Sequence, residues 1–517
     1  MCQPARQQCS VERVFSWVNK FITKYKFAFF SSLIVGTLTY FFAFTNKLIN
    51  HDEVISMFAK GSGLSSGRWA LHLMHYIFPN YSMPWIYGII SILLIAVASC
   101  IIVSVFDIKN KVLQILLSGS IMAFPSLIGT FSYMFTAASY AFAFLLSVIA
   151  FYFFTRDSYI YNILGVLALA VSLGIYQSYI SVAAGLMLVF LLKELFYSQQ
   201  SFFSILKKGL LFLAGLAVSL GCYYLILQIL LHVTGTELNS YATAGLTSAS
   251  SIFEKIISAY YGFVDIVWQR KFNLITTGLS EKIHILMFAV SAILALVQWI
   301  KMNAAKKILA FIVILLLPLA INCMYVFSSE DSIHTLVLYG FIAIYVLFVL
   351  LLDNIEFKDV QAKPQKIFFT VAKEIIAWGM VLVLTANIYV GNMVYLRMYL
   401  CYENMYGYYS SVMTLAKATP GFDSSSKIAL VGWAGNTLHF HTDFDSSISD
   451  IAGTHGINVN AYTREAFIRN FIGTEIPFAN QYEKEEIKKT AEFAEMPIYP
   501  YYGSIKKIGD YVVVKFE

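Results

Sequence analysis

Long apolar runs separated by short polar segments fill the first three quarters of the chain. The first run, residues 27–44, contains no charged residue. A bilayer core about 30 Å thick requires roughly 20 apolar residues in a helix, so this run is long enough to cross a membrane. The pattern predicts a polytopic α-helical membrane protein with about eleven transmembrane helices. The other predicted spans lie at about 84–106, 112–130, 134–154, 160–176, 178–196, 209–231, 285–300, 308–327, 335–352 and 375–396.

Three polar or mixed segments are too long to serve only as connections, and long segments usually carry function. Two are loops, at about residues 45–83 and 232–284. The third is the tail, residues 397–517, in which strand-like and helix-like patterns alternate. We therefore expect a transmembrane domain over residues 1–396 and a small soluble α/β domain over residues 397–517.

The second long loop contains an amphipathic segment, residues 252–268. Its periodicity predicts a helix that lies in the headgroup plane of the membrane or, alternatively, one that packs on the tail.

The basic residues favour one orientation in the membrane. With a cytoplasmic N-terminus, 18 of the lysine and arginine residues before residue 397 fall in cytoplasmic segments and seven in outside loops. Cytoplasmic loops are normally enriched in these residues, and an odd number of spans then places the tail outside the cytoplasm. This bias accounts for the net charge of +6, so we expect no nucleic-acid partner. The six cysteines are scattered and give the tail no disulfide framework.

The predicted spans contain no Asp, Glu, Lys or Arg well inside them, which argues against ion-coupled transport. The candidate chemistry lies in the first outside loop. Asp52 and Glu53 follow the first helix, at the depth that a lipid headgroup would reach. A carboxylate there could accept a proton from an attacking hydroxyl, although a solvated start of the loop has the same pattern. Arg68 has the planar fork that matches phosphate oxygens, or it anchors the interface beside Trp69.

Two sets of histidine and carboxylate residues are weak candidates for a metal site, because neither has a tight ligand motif. We therefore predict no metal and no cofactor. The sets are His51, Asp52, His72 and His75 in the first loop, and His439, His441, Asp443 and Asp445 in the tail.

Several short motifs follow one another along the chain in an order and spacing that are typical of one family. They are the acidic pair after the first helix, residues 66–69 (SGRW), residues 174–179 (GIYQSY), and residues 496–500 (MPIYP), 503–504 (GS) and 508–516 (IGDYVVVKF) at the end of the tail. With these motifs the chain resembles the serotype-converting O-antigen glucosyltransferases of bacterial inner membranes, which belong to the GT-C class. Where that family often has two aspartates this chain has Asp52-Glu53, so which carboxylate is the base stays open.

The resemblance implies a reaction and its partners. A sugar, usually glucose, moves from a polyprenyl-phosphate carrier to lipid-linked O-antigen in the periplasm, by an inverting displacement with a carboxylate base. A donor synthase and a flippase would be functional partners, membrane lipid would surround the spans, and the tail would help to bind the polysaccharide. The implied catalytic residues are Asp52 and Glu53, and the implied substrate-binding residues are His51, Arg68, Trp69, Tyr176 and Gln177.

Other functional classes remain open at this stage. A flippase or scramblase of polyprenyl-linked sugars is disfavoured by the large outside tail. An O-antigen polymerase or ligase is another alternative. Polymerases usually have a large outside loop rich in Arg late in the chain, whereas the loop at 328–334 is short. A non-catalytic membrane scaffold is a third alternative.

Overall fold

A computed structural model of the chain describes residues 9–57, 63–79, 81–239, 251–268, 278–328, 333–355, 363–433, 451–454 and 459–517. Its helices up to residue 197 are α1 (Ser10–Lys24), α2 (Lys26–Thr45), α3 (His51–Ser56), α4 (Trp69–Met74), α5 (Pro84–Phe106), α6 (Lys111–Met122), α7 (Pro125–Ser132), α8 (Met134–Phe154), α9 (Tyr159–Ile175) and α10 (Ile180–Tyr197). Those that follow are α11 (Phe202–Thr234), α12 (Ile252–Val267), α13 (Gly278–Lys301), α14 (Ala304–Ile321), α15 (Met324–Phe327), α16 (Ile342–Asp353), α17 (Lys363–Lys417), α18 (Arg464–Phe467), α19 (Gln481–Lys488) and α20 (Ala491–Glu495).

The helices confirm a polytopic helical membrane protein. Ten stretches among the described residues are long and apolar enough to cross a membrane by length and composition. Each of them contains most or all of one of the predicted spans. The remaining predicted span, residues 160–176, corresponds to the shorter apolar helix α9.

Helix α9 runs from one end of the helical bundle to the other. It starts after Asp157, which pairs with Lys208 at 3.3 Å. It ends before a 3₁₀ turn, Gln177–Tyr179, where Gln177 contacts the first long loop, which follows α2. Its seventeen residues rise about 26 Å, close to the thickness of a bilayer core, although α9 is shorter than the ten candidate spans. We call the end of the bundle that carries Gln177 the site end.

The predicted amphipathic helix is present as α12, and Ser251 and Glu254 form a capping box at its N-terminus. One edge, with Ala259 and Gly262 buried, packs on α14 and α15. A Cβ atom on Gly262 would meet the Tyr325 ring at 2.5 Å, so only glycine permits this approach. The opposite side exposes an apolar stripe at the spacing of a helix face: Phe253, Ile257, Tyr261, Val264 and Trp268.

Helix α17 joins the bundle to the tail without a break. It has 55 residues, which correspond to roughly 80 Å of helix, far more than a bilayer core requires. Its first part packs on α2, α6 and α13, and its last turns bury Tyr409, Val412 and Met413 in the core of the tail. The predicted boundary at residues 396/397 therefore falls inside one continuous helix.

The tail is built on a three-stranded sheet of order β1-β3-β2. Strand β1 (Lys427–Val431) pairs with β3 (Tyr511–Lys515) in parallel, with Ala429 opposite Val513, and β2 (Ile505–Ile508) pairs with β3 antiparallel. The alternation along β3 sends Val512 and Val514 to the side covered by α17 and α18, and Val513 to the side covered by α19 and α20. The tail is thus a mixed α/β unit with apolar side chains on both faces of its sheet.

Candidate active site

The acidic pair lies on α3, a short helix held at the site end by its N-cap. The Asn50 side chain accepts a hydrogen bond from the Glu53 backbone N–H at 2.9 Å, which caps the helix. The same side chain donates through Nδ2 to the Ser132 carbonyl at 2.6 Å. Since Asn50 is buried, these two bonds fix the start of α3 against the end of α7.

Glu53 points into the protein and is fully buried. Its Oε1 lies 2.5 Å from the Lys47 Nζ, and it also accepts a hydrogen bond from the Ser82 hydroxyl. Its Oε2 accepts from the Phe135 backbone N–H at 3.3 Å, at the N-terminus of α8. Burial raises the pKa of Glu53, while the charge and hydrogen bond of Lys47 oppose that rise. The described protein groups therefore already occupy both oxygens of this carboxylate.

Asp52, one residue earlier, faces outward. Its side chain is 48% exposed, and the His51 Nε2 lies 3.5 Å from its Oδ1. Successive residues on a helix point about 100° apart, so two adjacent carboxylates come to lie in different surroundings. Asp52 is the carboxylate of the pair that a substrate can reach.

Arg68 lies on an aromatic shelf at the same end of the bundle. Its Nη1 donates to the Tyr140 hydroxyl at 3.0 Å, and its Cζ lies 5.2 Å from the centre of the Tyr176 ring. The two tyrosine rings are stacked, with centroids 4.4 Å apart. Stacking on tyrosine suits a planar guanidinium. The shelf thus holds a positive charge among buried rings, where Coulomb interactions are stronger than in water.

His334 stands close enough to Arg68 for the arginine charge to affect its titration. Burial lowers the pKa of His334, and the Arg68 charge lowers it further, to about 4. His334 is therefore neutral near pH 7. Its buried Nδ1 has no hydrogen-bond partner among the residues that the structure describes, which leaves a neutral polar group beside the arginine.

The loop before Arg68 is clamped by two side chains from different helices. Gln177 donates through Nε2 to the Ser66 carbonyl at 3.0 Å, and the Tyr223 hydroxyl donates to the Gly67 carbonyl at 2.9 Å. Gly67 has a φ of 73°, a left-handed conformation that glycine adopts without strain. Gln177 and Tyr223 thereby position Arg68 through its neighbours.

Trp69 is buried against α9. A Cβ atom on Gly174 would lie 2.6 Å from the indole Cε2, so the missing side chain of Gly174 makes room for the ring. The Trp69 Nε1 has no hydrogen-bond partner within the described parts of the chain. In this structure Trp69 packs the start of α4 onto the bundle rather than lining an open surface.

Helix α8 links the acidic pair to the arginine shelf. Phe135, whose N–H reaches Glu53, and Tyr140, whose hydroxyl reaches Arg68, are five residues apart, or about 7.5 Å along the helix axis. The predicted residues thus gather at one end of the bundle. Asp52 and His51 form its exposed side, and Arg68, Tyr176 and Gln177 form its partly buried side.

The comparison with known families decides the class of protein. Residues 41–347 match the family model described as glucosyl transferase GtrII, which covers more than half of the chain. The chain belongs to this family. The matched region contains the acidic pair, the Arg68 shelf, the Gln177 clamp and His334, and it ends before the tail. A search of curated proteins finds no match.

Membership of the GtrII family supports a glycosyltransferase role and confirms the family resemblance found in the sequence. Several residues that build the site were absent from the sequence prediction. Lys47 entered it only as a basic loop residue. Tyr140 and Tyr223 lie within predicted spans. The one feature that could have indicated them is a ring with a polar hydroxyl on an apolar helix. His334 lies in the short late loop, and Ser82 had no distinguishing pattern.

The structure describes part of the two weak metal-ligand sets. The His72 and His75 rings lie 5.8 Å apart, centre to centre. Within the described ranges no group of three or more His, Cys, Asp or Glu residues could hold a metal ion. The tail set, residues 439–445, falls outside the described residues.

Proposed function

We propose that this protein transfers a sugar, in the first place glucose, from a polyprenyl-phosphate carrier to a hydroxyl group of lipid-linked O-antigen. The observation that carries the proposal is the Arg68 shelf, which sits at the same bundle end as the exposed carboxylate of Asp52. Family membership supports glycosyl transfer rather than lipid flipping alone. The guanidinium of Arg68 is held on tyrosine rings beside the neutral His334. A fixed guanidinium suits a donor that carries a phosphate.

The reaction is a single inverting displacement at the anomeric carbon. The acceptor oxygen forms a bond to that carbon as the bond between the carbon and the phosphate oxygen breaks. The electron pair of the broken bond leaves with the phosphate. Arg68 stabilises the charge that develops on the departing phosphate. Because that anion leaves readily, the site needs no strong general acid.

Asp52 is the base in this proposal. It takes the proton of the acceptor hydroxyl while the new bond forms, and its exposed side chain allows an acceptor to reach it. Glu53 is the positioning residue, because its oxygens are held by Lys47, Ser82 and the N-terminus of α8. Tyr176 and Gln177 shape the shelf and the loop around Arg68.

We place the site end and the tail in the periplasm of a bacterial inner membrane. The bias of basic residues and the odd number of spans predicted from the sequence support this orientation. A reporter that fluoresces only in the cytoplasm, fused after Glu517, should stay dark, and a bright fusion would reverse the orientation.

The test of function is sugar transfer by the purified full-length protein in detergent or nanodiscs. We expect transfer to lipid-linked O-antigen from polyprenyl-phosphate glucose and none from a nucleotide sugar. Transfer from the nucleotide sugar alone, or lipid flipping without transfer, would refute the proposal. Polymerised O-antigen formed without added glucose donor would indicate a polymerase or ligase instead.

A matched pair of variants tests the role of Arg68. Arg156 also lies over a tyrosine ring, with its Cζ 4.4 Å from the centre of Tyr152, but it follows the other end of α8. Arg68→Ala should weaken donor binding and turnover together, since it loses contact with both the bound and the departing phosphate. Arg156→Ala should leave both unchanged. Equal effects of the two variants would remove Arg68 from the donor site.

A further inference from the structure

The tail contributes directly to the surroundings of the acidic pair. The Asn470 Nδ2 donates to the Val54 carbonyl at 3.1 Å, which ties the tail to helix α3. Ile49 and Val54 are buried in the same apolar cluster as Phe467 of α18. The helix that carries Asp52 is therefore packed between the bundle on one side and the tail on the other.

One tail side chain, Tyr462, stands at the edge of this contact. Its ring centre lies 6.5 Å from that of His51, with the two planes at 81°. His51 is the residue before Asp52 and lies beside its carboxylate. Tyr462 nevertheless remains 62% exposed, so most of its ring is open to a ligand next to the proposed base.

The backbone around Tyr462 is held in a tight turn. The Asn460 N–H donates to the Thr463 Oγ1 at 2.9 Å, and the Thr463 N–H donates to the Asn460 Oδ1 at 3.2 Å. The Arg464 N–H donates to the Asn460 carbonyl at 3.0 Å. Because Thr463 is fully buried, the turn anchors one side of Tyr462 in the tail and presents its ring outward. A backbone held in advance reduces the freedom that this segment loses when a ligand binds.

The position of Tyr462 separates it from the donor side of the site. Arg68 and its tyrosine shelf belong to the bundle, while Tyr462 comes from the tail and approaches Asp52 by way of His51. The family model matches residues 41–347, so Tyr462 lies outside the matched region.

We propose that Tyr462 is the platform on which a pyranose ring of the acceptor glycan stacks, so that its hydroxyl is presented to Asp52. The apolar C–H face of a pyranose matches the face of an aromatic ring, while the hydroxyl groups at the sugar's edge remain free to react. The tail thus selects the acceptor by contact at the reacting sugar. This inference rests on the proposed sugar transfer.

The test compares Tyr462→Ala with Tyr462→Phe and with Tyr482→Ala, all in the full-length protein. Tyr482 is a suitable control because it is 74% exposed on α19 of the same tail. We expect Tyr462→Ala to raise the KM for lipid-linked O-antigen about three- to tenfold, the range of a lost aromatic contact. The KM for polyprenyl-phosphate glucose should stay within about twofold. Tyr462→Phe should behave as the wild type because it keeps the ring.

Other outcomes overturn the platform. An unchanged acceptor KM in Tyr462→Ala would do so, and so would an equal effect of Tyr482→Ala. A fall in kcat alone would make Tyr462 a positioning residue for Asp52 instead.

A binding measurement separates this inference from the proposed function. If the wild type transfers no sugar from polyprenyl-phosphate glucose, the proposed donor is wrong, but calorimetry with delipidated O-antigen oligosaccharide still decides on the platform. Binding that is weakened in Tyr462→Ala and retained in Tyr462→Phe supports it. Equal binding by the wild type and Tyr462→Ala, or no binding by the wild type, refutes it.

Discussion

The loop that carries Arg68 offers a sharp test of how the site is held, through the substitution Gly67→Ala. The added Cβ atom would lie 2.8 Å from the Gln177 Nε2 and 2.8 Å from the Tyr223 hydroxyl. These are the two groups that hydrogen-bond the loop. The methyl group must therefore push the loop away from its clamp, and Arg68 is the next residue to move.

The expected cost has two parts. An alanine in the left-handed conformation costs about 1–2 kcal/mol relative to glycine. Weakening two hydrogen bonds adds roughly 0.5–1.5 kcal/mol for each, so the total is about 2–5 kcal/mol. Gly235→Ala is the matched control, because Gly235 has a φ of 63° but open space around its Cβ position. Gly235→Ala should lose only the about 1–2 kcal/mol of stability that the left-handed conformation costs.

Thermal unfolding in detergent and donor kinetics measure the two consequences. Gly67→Ala should have the lower Tm of the two variants and, in addition, a raised KM for polyprenyl-phosphate glucose. Gly235→Ala should keep the wild-type KM. If both variants lose the same stability, the clamp does not restrain the loop. If Gly67→Ala is less stable but binds donor normally, the loop does not position Arg68.

Four further outcomes are expected. Asp52→Asn should reduce single-turnover transfer about 10²- to 10⁴-fold with an unchanged Tm, and near-normal transfer would exclude Asp52 as the base. Glu53→Gln should lower the free energy of unfolding by roughly 1–3 kcal/mol, because the buried donors around Glu53 lose a charged acceptor. Adding Lys47→Met should recover part of this loss. An unchanged Tm in Glu53→Gln would contradict the structural role of Glu53. His334 stays neutral in the folded state down to about pH 4, whereas the unfolded chain takes up the proton below about pH 6.5. The contribution of His334 to the free energy of unfolding is therefore full above about pH 6.5 and is lost as the pH falls toward 4. When Tm is measured at a series of pH values, His334→Gln should reduce the fall in Tm over this range. Transfer should persist in excess chelator; activity that Mn²⁺ or Mg²⁺ alone restores would make Asp52 and Glu53 metal ligands.

The membrane architecture of this protein follows from its sequence alone. An apolar run of about 20 residues has one stable arrangement in a bilayer, a helix that satisfies its own backbone hydrogen bonds. The strands β1 and β3 were likewise visible as short apolar runs in the polar tail. The acidic pair and Arg68 could be singled out because charged residues in defined motifs stand out against such a background.

The tertiary structure decided what those residues do. Asp52 and Glu53 are neighbours of similar chemistry, and only the packing of α3 buries Glu53 on Lys47 and leaves Asp52 open. Tyr140 and Tyr223 could not be told from other ring residues of their spans, because a uniformly apolar helix does not reveal which face meets the bundle. The placement of Tyr462 beside His51 depends on contacts across about 400 residues of chain. Such contacts arise from the shapes of whole packed surfaces, which no local pattern of hydrophobic and polar residues encodes.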